Sequence, residues 1–107
     1  MQKIKIAKLF IKNIVKANHD YFEEVTSEDF IHHNNDEINT KYQFLEIIDL
    51  LESSPILRKI IIETEKELCN YVFLKCVYIF VGNVKQVSYD IFRFESNKIK
   101  EHWTIFD

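Results

Sequence analysis

The stretch SYDIFRFESNKIKEHW, residues 88–103, decides the fold that we predict for this chain. Apolar and polar side chains alternate on both sides of its centre, as is typical of two β-strands, and we place these strands at 84–94 and 98–106. Ser96 and Asn97 separate the strands, and Asn tolerates the positive φ angles of tight hairpin turns. The sequence therefore predicts an antiparallel β-hairpin.

The first strand of this hairpin places a carboxylate among aromatic residues. Asp90, Phe92 and Phe94 alternate with other side chains, so all three face the same side of the sheet. An ionised carboxylate loses its hydration on an apolar face. Asp90 therefore either has a function there or lies near enough to the end of the sheet to stay hydrated.

Two further strands precede the hairpin, at 57–66 and 71–81, and both are rich in β-branched and aromatic residues. Gly82 and Asn83 form a second predicted hairpin turn. The strand at 71–81, YVFLKCVYIFV, is apolar on both faces, although helices would cover only one. This pattern indicates a homodimer through the sheet, with a monomer that has a thick core as the alternative.

The N-terminal half has the periodicity of helices. Residues 3–18 predict an amphipathic helix with lysines opposite its apolar face, and residues 19–29 predict a short second helix followed by a loop. The polar, Asn-rich stretch 30–40 predicts a brief extended piece and then a loop.

A third helix is predicted at 41–52. Thr40 and Gln43 have the spacing of a capping box, in which a hydroxyl and an amide bind free backbone groups at a helix start. Ser53-Ser54-Pro55 is expected to end this helix. Helices followed by an antiparallel meander predict an α+β fold, with three N-terminal helices packed on one face of a curved, mostly antiparallel sheet.

Length and charge limit the classes of function. The chain has 107 residues and a net charge of −3, without a basic stripe, which predicts one domain over 1–107 and excludes nucleic acid as a partner. Lysines interrupt every apolar run near the N-terminus, so we expect no membrane association and a cytoplasmic protein. Cys69 and Cys76 are expected to be reduced thiols in the core.

Two segments resemble a known family. YDIFRFESNKIKEHW is similar to the closing hairpin of SnoaL-like polyketide cyclases, within the nuclear transport factor 2-like superfamily. FIHHNNDEINTKYQF resembles an earlier motif of that family, in which His33, Asn34 and Phe44 match. Asn35 stands where proline is common, and Thr40 where glycine is common.

The resemblance implies a cone-shaped α+β fold around an apolar pocket that binds a small hydrophobic molecule, usually in a dimer. It also implies catalysis without metal or organic cofactor, with Asp90 as the base and His33 orienting a substrate oxygen or the carboxylate. Desolvation raises a carboxylate's pKa and makes it a stronger base. Adjacent histidines on an extended segment point to opposite sides, so the sequence predicts no metal site.

Four further residues are predicted to bind the ligand: Lys75, Asn34, Phe92 and Trp103. Lys75 stands where many relatives have a pocket histidine, and it would lower the pKa of Asp90 if the two paired. Otherwise Lys75 is a surface amine.

Structural interpretations remain open beside the functional ones. Asp90 could be a structural carboxylate and His33 a loop anchor, whereas His32 is expected to face solvent and Arg93 to lie outside or at a dimer contact. Two hypotheses for the whole chain follow: a cofactor-free lyase or isomerase acting on a small hydrophobic carbonyl compound, or a non-catalytic module that binds a small ligand or dimerises.

Overall fold

A computed structural model describes residues 2–53 and 56–107. Their elements in chain order are α1 (Gln2–Ile14), α2 (His19–Val25), β1 (Thr26–Asn34), β2 (Glu37–Thr40), α3 (Lys41–Ser53), β3 (Leu57–Leu68), β4 (Tyr71–Phe80), β5 (Lys85–Glu95) and β6 (Lys98–Phe106). The predicted α+β fold, with N-terminal helices on a curved sheet, is confirmed. The predicted helix end at Ser54 and Pro55 lies outside the described residues.

The six strands form one sheet in the order β2-β1-β6-β5-β4-β3. All neighbouring pairs are antiparallel except β1 and β6, which are parallel. The chain therefore returns to β1 with its last strand. The register places His32 beside His102 and Phe92 beside His102, so three central strands contribute to one row of side chains.

The helices pack on the inner face of the sheet, defined here as the face that carries Phe92. Phe10 of α1 is fully buried and contacts Phe92 edge to face, with ring centroids 5.3 Å apart. The same ring stacks on Phe44 of α3 at 5.4 Å and meets Phe22 of α2 at 4.8 Å. Large aromatic side chains bury much apolar area, so this cluster fixes all three helices on the sheet.

The opposite face of the sheet, called the outer face, carries large side chains that are partly exposed to solvent. Tyr71 and Phe73 of β4 are each 37% exposed, and Tyr89 of β5 is 41% exposed. These residues alternate with the buried ones, as the period of two along a strand requires.

Both predicted hairpin turns are present. Ser96 and Asn97 have φ angles of 52° and 64°, and Gly82 and Asn83 have 80° and 61°. Two successive positive φ angles match the right-handed twist of the flanking strands, which explains why Gly and Asn occupy these positions.

The capping box at the start of α3 is also present. The backbone N–H of Gln43 donates to Thr40 Oγ1 at 3.3 Å, and the backbone N–H of Thr40 donates to Gln43 Oε1 at 2.9 Å. The pair satisfies two backbone donors where the helix begins.

The predictions of a loop after the second helix and of a loop within 30–40 were both wrong. Residues 26–34 and 37–40 are the two strands of a hairpin, and Asn35 turns between them with a φ of 55°. The polar composition arises because β2 is an edge strand with one buried residue, Asn39. Polar side chains on a largely exposed edge are compatible with strand pairing.

Two other expectations need correction. The first helix ends at Ile14 rather than at residue 18, because Ala17 takes a φ of 48° and the side chain of Asn18 accepts a hydrogen bond from Tyr21 N at the start of α2. Cys69 is exposed in the turn between β3 and β4, whereas Cys76 is buried as predicted. Both cysteines are free.

Candidate functional site

Five polar side chains gather on the inner face of the sheet, and we call them the buried polar cluster: Ser88, Asp90, His102, Thr104 and His32. Ser88 and Asp90 alternate along β5, His102 and Thr104 alternate along β6, and His32 lies on β1. None is more than 5% exposed. Strand register alone therefore brings three segments of the chain to one place.

Asp90 is the acceptor at the centre of the cluster. His102 Nε2 lies 2.7 Å from Asp90 Oδ1, and Thr104 Oγ1 donates to the same oxygen at 2.9 Å. Ser88 Oγ donates to Oδ2 at 2.8 Å. Three side chains within hydrogen-bond distance of one carboxyl group compensate for the hydration that it loses on burial.

His32 extends this network towards α3. Its Nε2 lies 3.2 Å from Thr104 Oγ1. Burial, together with the positive charges that His102 and His33 would add nearby, lowers the pKa of His32 to about 2. The ring is therefore neutral at physiological pH.

The buried polar cluster affects the pKa values of two side chains of β4. Burial raises the pKa of the Cys76 thiol and of the Tyr78 hydroxyl, and the negative charge of Asp90 raises both further. Both groups therefore remain protonated at physiological pH. Cys76 is thus a poor nucleophile, because the thiolate is the reactive form.

Aromatic rings enclose the imidazole of His102. Phe92 stacks on it with centroids 4.3 Å apart and an interplanar angle of 5°, while Phe10 meets it edge to face at 5.1 Å. The Nδ1 atoms of His102 and His32 are buried and have no hydrogen-bond partner among the described residues. Such unpaired acceptors are unusual in folded proteins.

A cavity of about 200 Å³ opens beside the cluster, between the sheet and α3. The cluster contributes His32, His102 and Thr104 to its wall. The remaining lining residues are Ile14, Asn34, Phe44, Ile47, Ile48, Leu51, Tyr78, Phe80, Gln86 and Phe106. An apolar pocket with a few convergent polar groups is the usual form of a small-molecule site.

The structure places the predicted residues on both faces of the sheet. Asp90 and Phe92 lie on the inner face, fully buried, and Asn34 lines the cavity. Asp90 itself is not part of the cavity wall, but its hydrogen-bond partners His102 and Thr104 are.

His33 is not brought to Asp90. It lies on the outer face, where Nε2 contacts Glu101 Oε2 at 2.6 Å and the ring stacks on Trp103 at 5.1 Å. Its neighbour His32, which was expected to face solvent, is 4% exposed and points inward. The expectation for these adjacent histidines was therefore reversed.

Lys75 and Trp103 also belong to the outer face. Lys75 Nζ lies 3.4 Å from Glu63 Oε1 and makes no ion pair with Asp90. Trp103 borders a shallow apolar depression on the outer face together with Tyr71, Phe73 and Ile91.

Glu101 organises the polar residues of the outer face. Arg93 contacts Glu101 Oε1 through Nε at 3.2 Å and through its terminal guanidinium nitrogen at 2.8 Å. Burial raises the pKa of Glu101, but the hydrogen bonds from Arg93 and His33 outweigh this effect and lower it overall. Arg93 lies outside the core, as predicted.

Sequence reasoning missed Ser88, His102, Thr104 and His32. Ser88 shares the parity of Asp90, so alternation along β5 is a signal for it. The turn at 96–97 alone would pair Asp90 with Trp103, and a register shift between Arg93 and Phe94 brings Thr104 and His102 alongside instead. No local pattern indicates His32, because its position depends on the parallel pairing of β1 with β6.

Among residues 2–53 and 56–107, no group of three or more His, Cys, Asp or Glu side chains could hold a metal ion. None of the helices in these ranges is long and apolar enough to cross a membrane.

Comparison with known proteins identifies the fold. Neither a family model nor a curated protein matches the sequence. Many solved structures match closely in shape, and three of them illustrate the likeness. IdmH, "a putative polyketide cyclase" from Streptomyces antibioticus, has a TM-score of 0.83 at 14% identity, covering 100% of this chain and 93% of its own.

The other two have similar scores. An NTF2-like protein of unknown function from Mesorhizobium loti has a TM-score of 0.83 at 11% identity, covering 99% of this chain and 91% of its own. A "putative ketosteroid isomerase" from Kribbella flavida has 0.84 at 10% identity, covering 99% and 78%. The chain therefore has the nuclear transport factor 2-like fold, as its resemblance to SnoaL-like proteins implied.

Proposed function

We propose that the protein is a cofactor-free lyase or isomerase that removes a proton next to the carbonyl group of a small hydrophobic compound. The observation that carries this proposal is the buried hydrogen bond of 2.7 Å between Asp90 and His102, at a cavity wall that is otherwise mostly apolar. Two of the structural neighbours are named as a cyclase and an isomerase, which supports the same reaction class.

In this proposal Asp90 acts through His102. The carboxylate accepts the Nε2 hydrogen of His102, which leaves Nδ1 with a free lone pair. A carboxylate that holds one nitrogen of an imidazole fixes its tautomer and stabilises the imidazolium that forms when the other nitrogen takes a proton. His102 Nδ1 is then the base, once a bound substrate displaces the side chains that cover this atom, and Asp90 is its orienting partner.

The proposed reaction begins with transfer of a proton from the substrate to the protein. The C–H proton of the substrate passes to His102 Nδ1, and the electron pair moves to the carbonyl oxygen to form an enolate. The amides of Asn34 and Gln86 are the donors that could bind this oxygen, since both line the cavity. Return of the proton to another carbon gives an isomer, and departure of a leaving group gives an elimination product.

We also propose that two copies associate through their outer faces, as the apolar character of β4 suggested. Tyr71, Phe73 and Tyr89 leave aromatic surface partly exposed there, and such patches are typical of protein contacts. The two free cysteines, Cys69 and Cys76, support a reducing, cytoplasmic location.

A second function, ligand binding without catalysis, is favoured by one observation. The side chain of Asp90 is 0% exposed, and both of its oxygens are already hydrogen-bonded. A carboxylate in this state can also serve only to stabilise the fold, and the same fold hosts unrelated functions.

An exchange experiment separates the two functions. Small cyclic ketones that bind to the cavity, as shown by NMR shifts of His32 and Phe44, are incubated with the protein in D2O, and loss of their α-hydrogen signals is followed. We expect the wild type to accelerate exchange and H102Q and D90N to reduce the rate about 100-fold.

His19→Gln is the matched control, because His19 is an exposed histidine that pairs with Asp49 on the helices. This variant should exchange at the wild-type rate. Ketones that bind but exchange no faster than without protein would rule out the enzyme and support the binding module.

A further inference from the structure

The buried polar cluster contains enough hydrogen bonds to assign its hydrogens. Thr104 has one hydroxyl hydrogen, which it donates to Asp90 Oδ1 at 2.9 Å. The Thr104 oxygen must therefore accept from His32 Nε2, which lies 3.2 Å away. The single ring hydrogen of neutral His32 is on Nε2.

This assignment leaves Nδ1 of His32 as a bare acceptor. The atom is buried and has no partner among the described residues. Loss of hydration without a replacement hydrogen bond costs free energy, so a group that donates to this atom would bind favourably. The low pKa of His32 means that the ring does not gain a second proton and become a donor.

The ring borders the cavity, and Nδ1 is covered by neighbouring side chains that a ligand must displace to reach it. His32 is part of the cavity wall, and the ring of Phe44 packs against it with centroids 4.7 Å apart. Ile47, Ile48 and Leu51 of α3 complete this side of the cavity with apolar surface. The unpaired acceptor of His32, in a wall that is otherwise mostly apolar, favours a ligand with an apolar body and a hydrogen-bond donor.

We propose that the cavity selects ligands that carry a hydroxyl or N–H group and donate its hydrogen to His32 Nδ1. The substrate is then a small apolar carbonyl compound that also bears such a donor, for example a hydroxy ketone. This statement about the substrate rests on the proposed function, because it treats the bound ligand as the compound that reacts. His32 is in this view a specificity-determining residue, and His102 remains the base.

The selectivity comes from hydrogen bonding and not from the shape of the ligand. A ligand with the same skeleton that lacks the donor leaves Nδ1 unpaired, and one with only a carbonyl or ether oxygen brings a second lone pair against it. A site with a buried polar group rejects an analogue that cannot satisfy that group more strongly than a purely apolar site does.

Four compounds with one skeleton test the proposal: 1-indanol, 1-indanone, 1-methoxyindane and indane. Only 1-indanol can donate a hydrogen bond. We expect it to bind the wild type about fivefold more tightly than the others, as measured by NMR or calorimetric titration of the intact chain. His32→Phe keeps the ring shape without Nδ1 and should abolish this preference without weakening indane binding.

Ile47→Val is the matched control, because it removes one methyl group from the cavity wall. It should weaken all four compounds alike. Equal affinities in the wild type, or the same 1-indanol preference in His32→Phe, would overturn the proposal.

A spectroscopic measurement covers the case in which His32→Phe does not fold. In the wild type, the ¹⁵N resonance of His32 Nδ1 should report an unprotonated nitrogen and move upfield when 1-indanol binds. An Nδ1–H tautomer, or a resonance that 1-indanol leaves unchanged because a bound water already donates to this atom, would refute the assignment.

The outcome is independent of the exchange experiment. If no ketone exchanges but 1-indanol is preferred, the proposed reaction fails and the ligand class stands. If exchange occurs without any donor preference, only the role of His32 fails.

Discussion

The ring of Phe92 lies flat against the imidazole of His102, with centroids 4.3 Å apart, two residues along β5 from the carboxylate that holds the same imidazole. One strand thus sets both the plane and the hydrogen bond of His102. Each contact limits a different movement, because stacking restricts tilt and Asp90 fixes the direction of Nε2. A pre-oriented ring is what proton transfer requires.

Asp90→Asn should lower the free energy of unfolding by about 3 kcal/mol. The amide replaces one acceptor oxygen by an N–H group, which then faces the donor groups of His102, Thr104 or Ser88. Urea denaturation at pH 7.5 gives the value. Asp29→Asn, at an exposed ion pair with Lys100, is the control and should change stability far less. Equal losses in the two variants would contradict a central role for Asp90.

Stability should fall as the pH drops below 6.5, because of His32. Its pKa is about 2 in the folded chain, whereas an unfolded histidine titrates near 6.5. The unfolded state therefore binds more protons below pH 6.5, and up to about 1.4 kcal/mol is lost per pH unit.

Denaturation at pH 7.5, 6 and 5 measures this slope, above the range in which carboxylates such as Glu101 begin to contribute. His32→Phe should reduce the slope by about one proton. A slope that is the same in both proteins would show that His32 is protonated in the folded state.

Phe73→Glu should convert the proposed dimer into monomers, since it places a charge in the centre of the outer face. Sedimentation equilibrium measures the mass. Leu9→Glu is the control, because Leu9 has the same exposure of 37% but lies on α1. A wild type that sediments as a monomer at all concentrations would disprove the dimer.

Thr40→Ala should destabilise the protein by about 1 kcal/mol, because Gln43 N loses the acceptor that caps α3. Thermal or urea denaturation detects a change of this size. Thr40→Ser keeps the hydroxyl and should recover most of the loss. The same destabilisation in both variants would show that the cap contributes little.

The fold was predictable because its local signals agree with its long-range pairing. The turns at Gly82 and Asn97 and the capping box at Thr40 each specify a boundary through the backbone angles or donors that these residues satisfy. The loop predicted within 30–40 failed for a physical reason. A polar edge hairpin has no apolar periodicity of its own, and its pairing with β6 is not encoded locally.

The site was predictable only where it follows from alternation within one strand. Asp90 and Phe92 share a face by parity, and the structure confirms that they do. His32 and His33 differ by one residue, so one of them must face inward, and the sequence does not tell which. The parallel register with β6, in which His32 stands beside His102, makes that choice.

The parallel pairing of β1 with β6 also has a consequence for biosynthesis. His32 and Thr104 are 72 residues apart in the sequence. The ribosome therefore synthesises the other five strands before β6 is available to pair with β1. Until then both edges of the first hairpin are unpaired and the nascent chain cannot close its core. Contacts between distant segments slow folding and leave strand edges open to other chains. The chain is therefore most prone to misassembly before β6 pairs with β1.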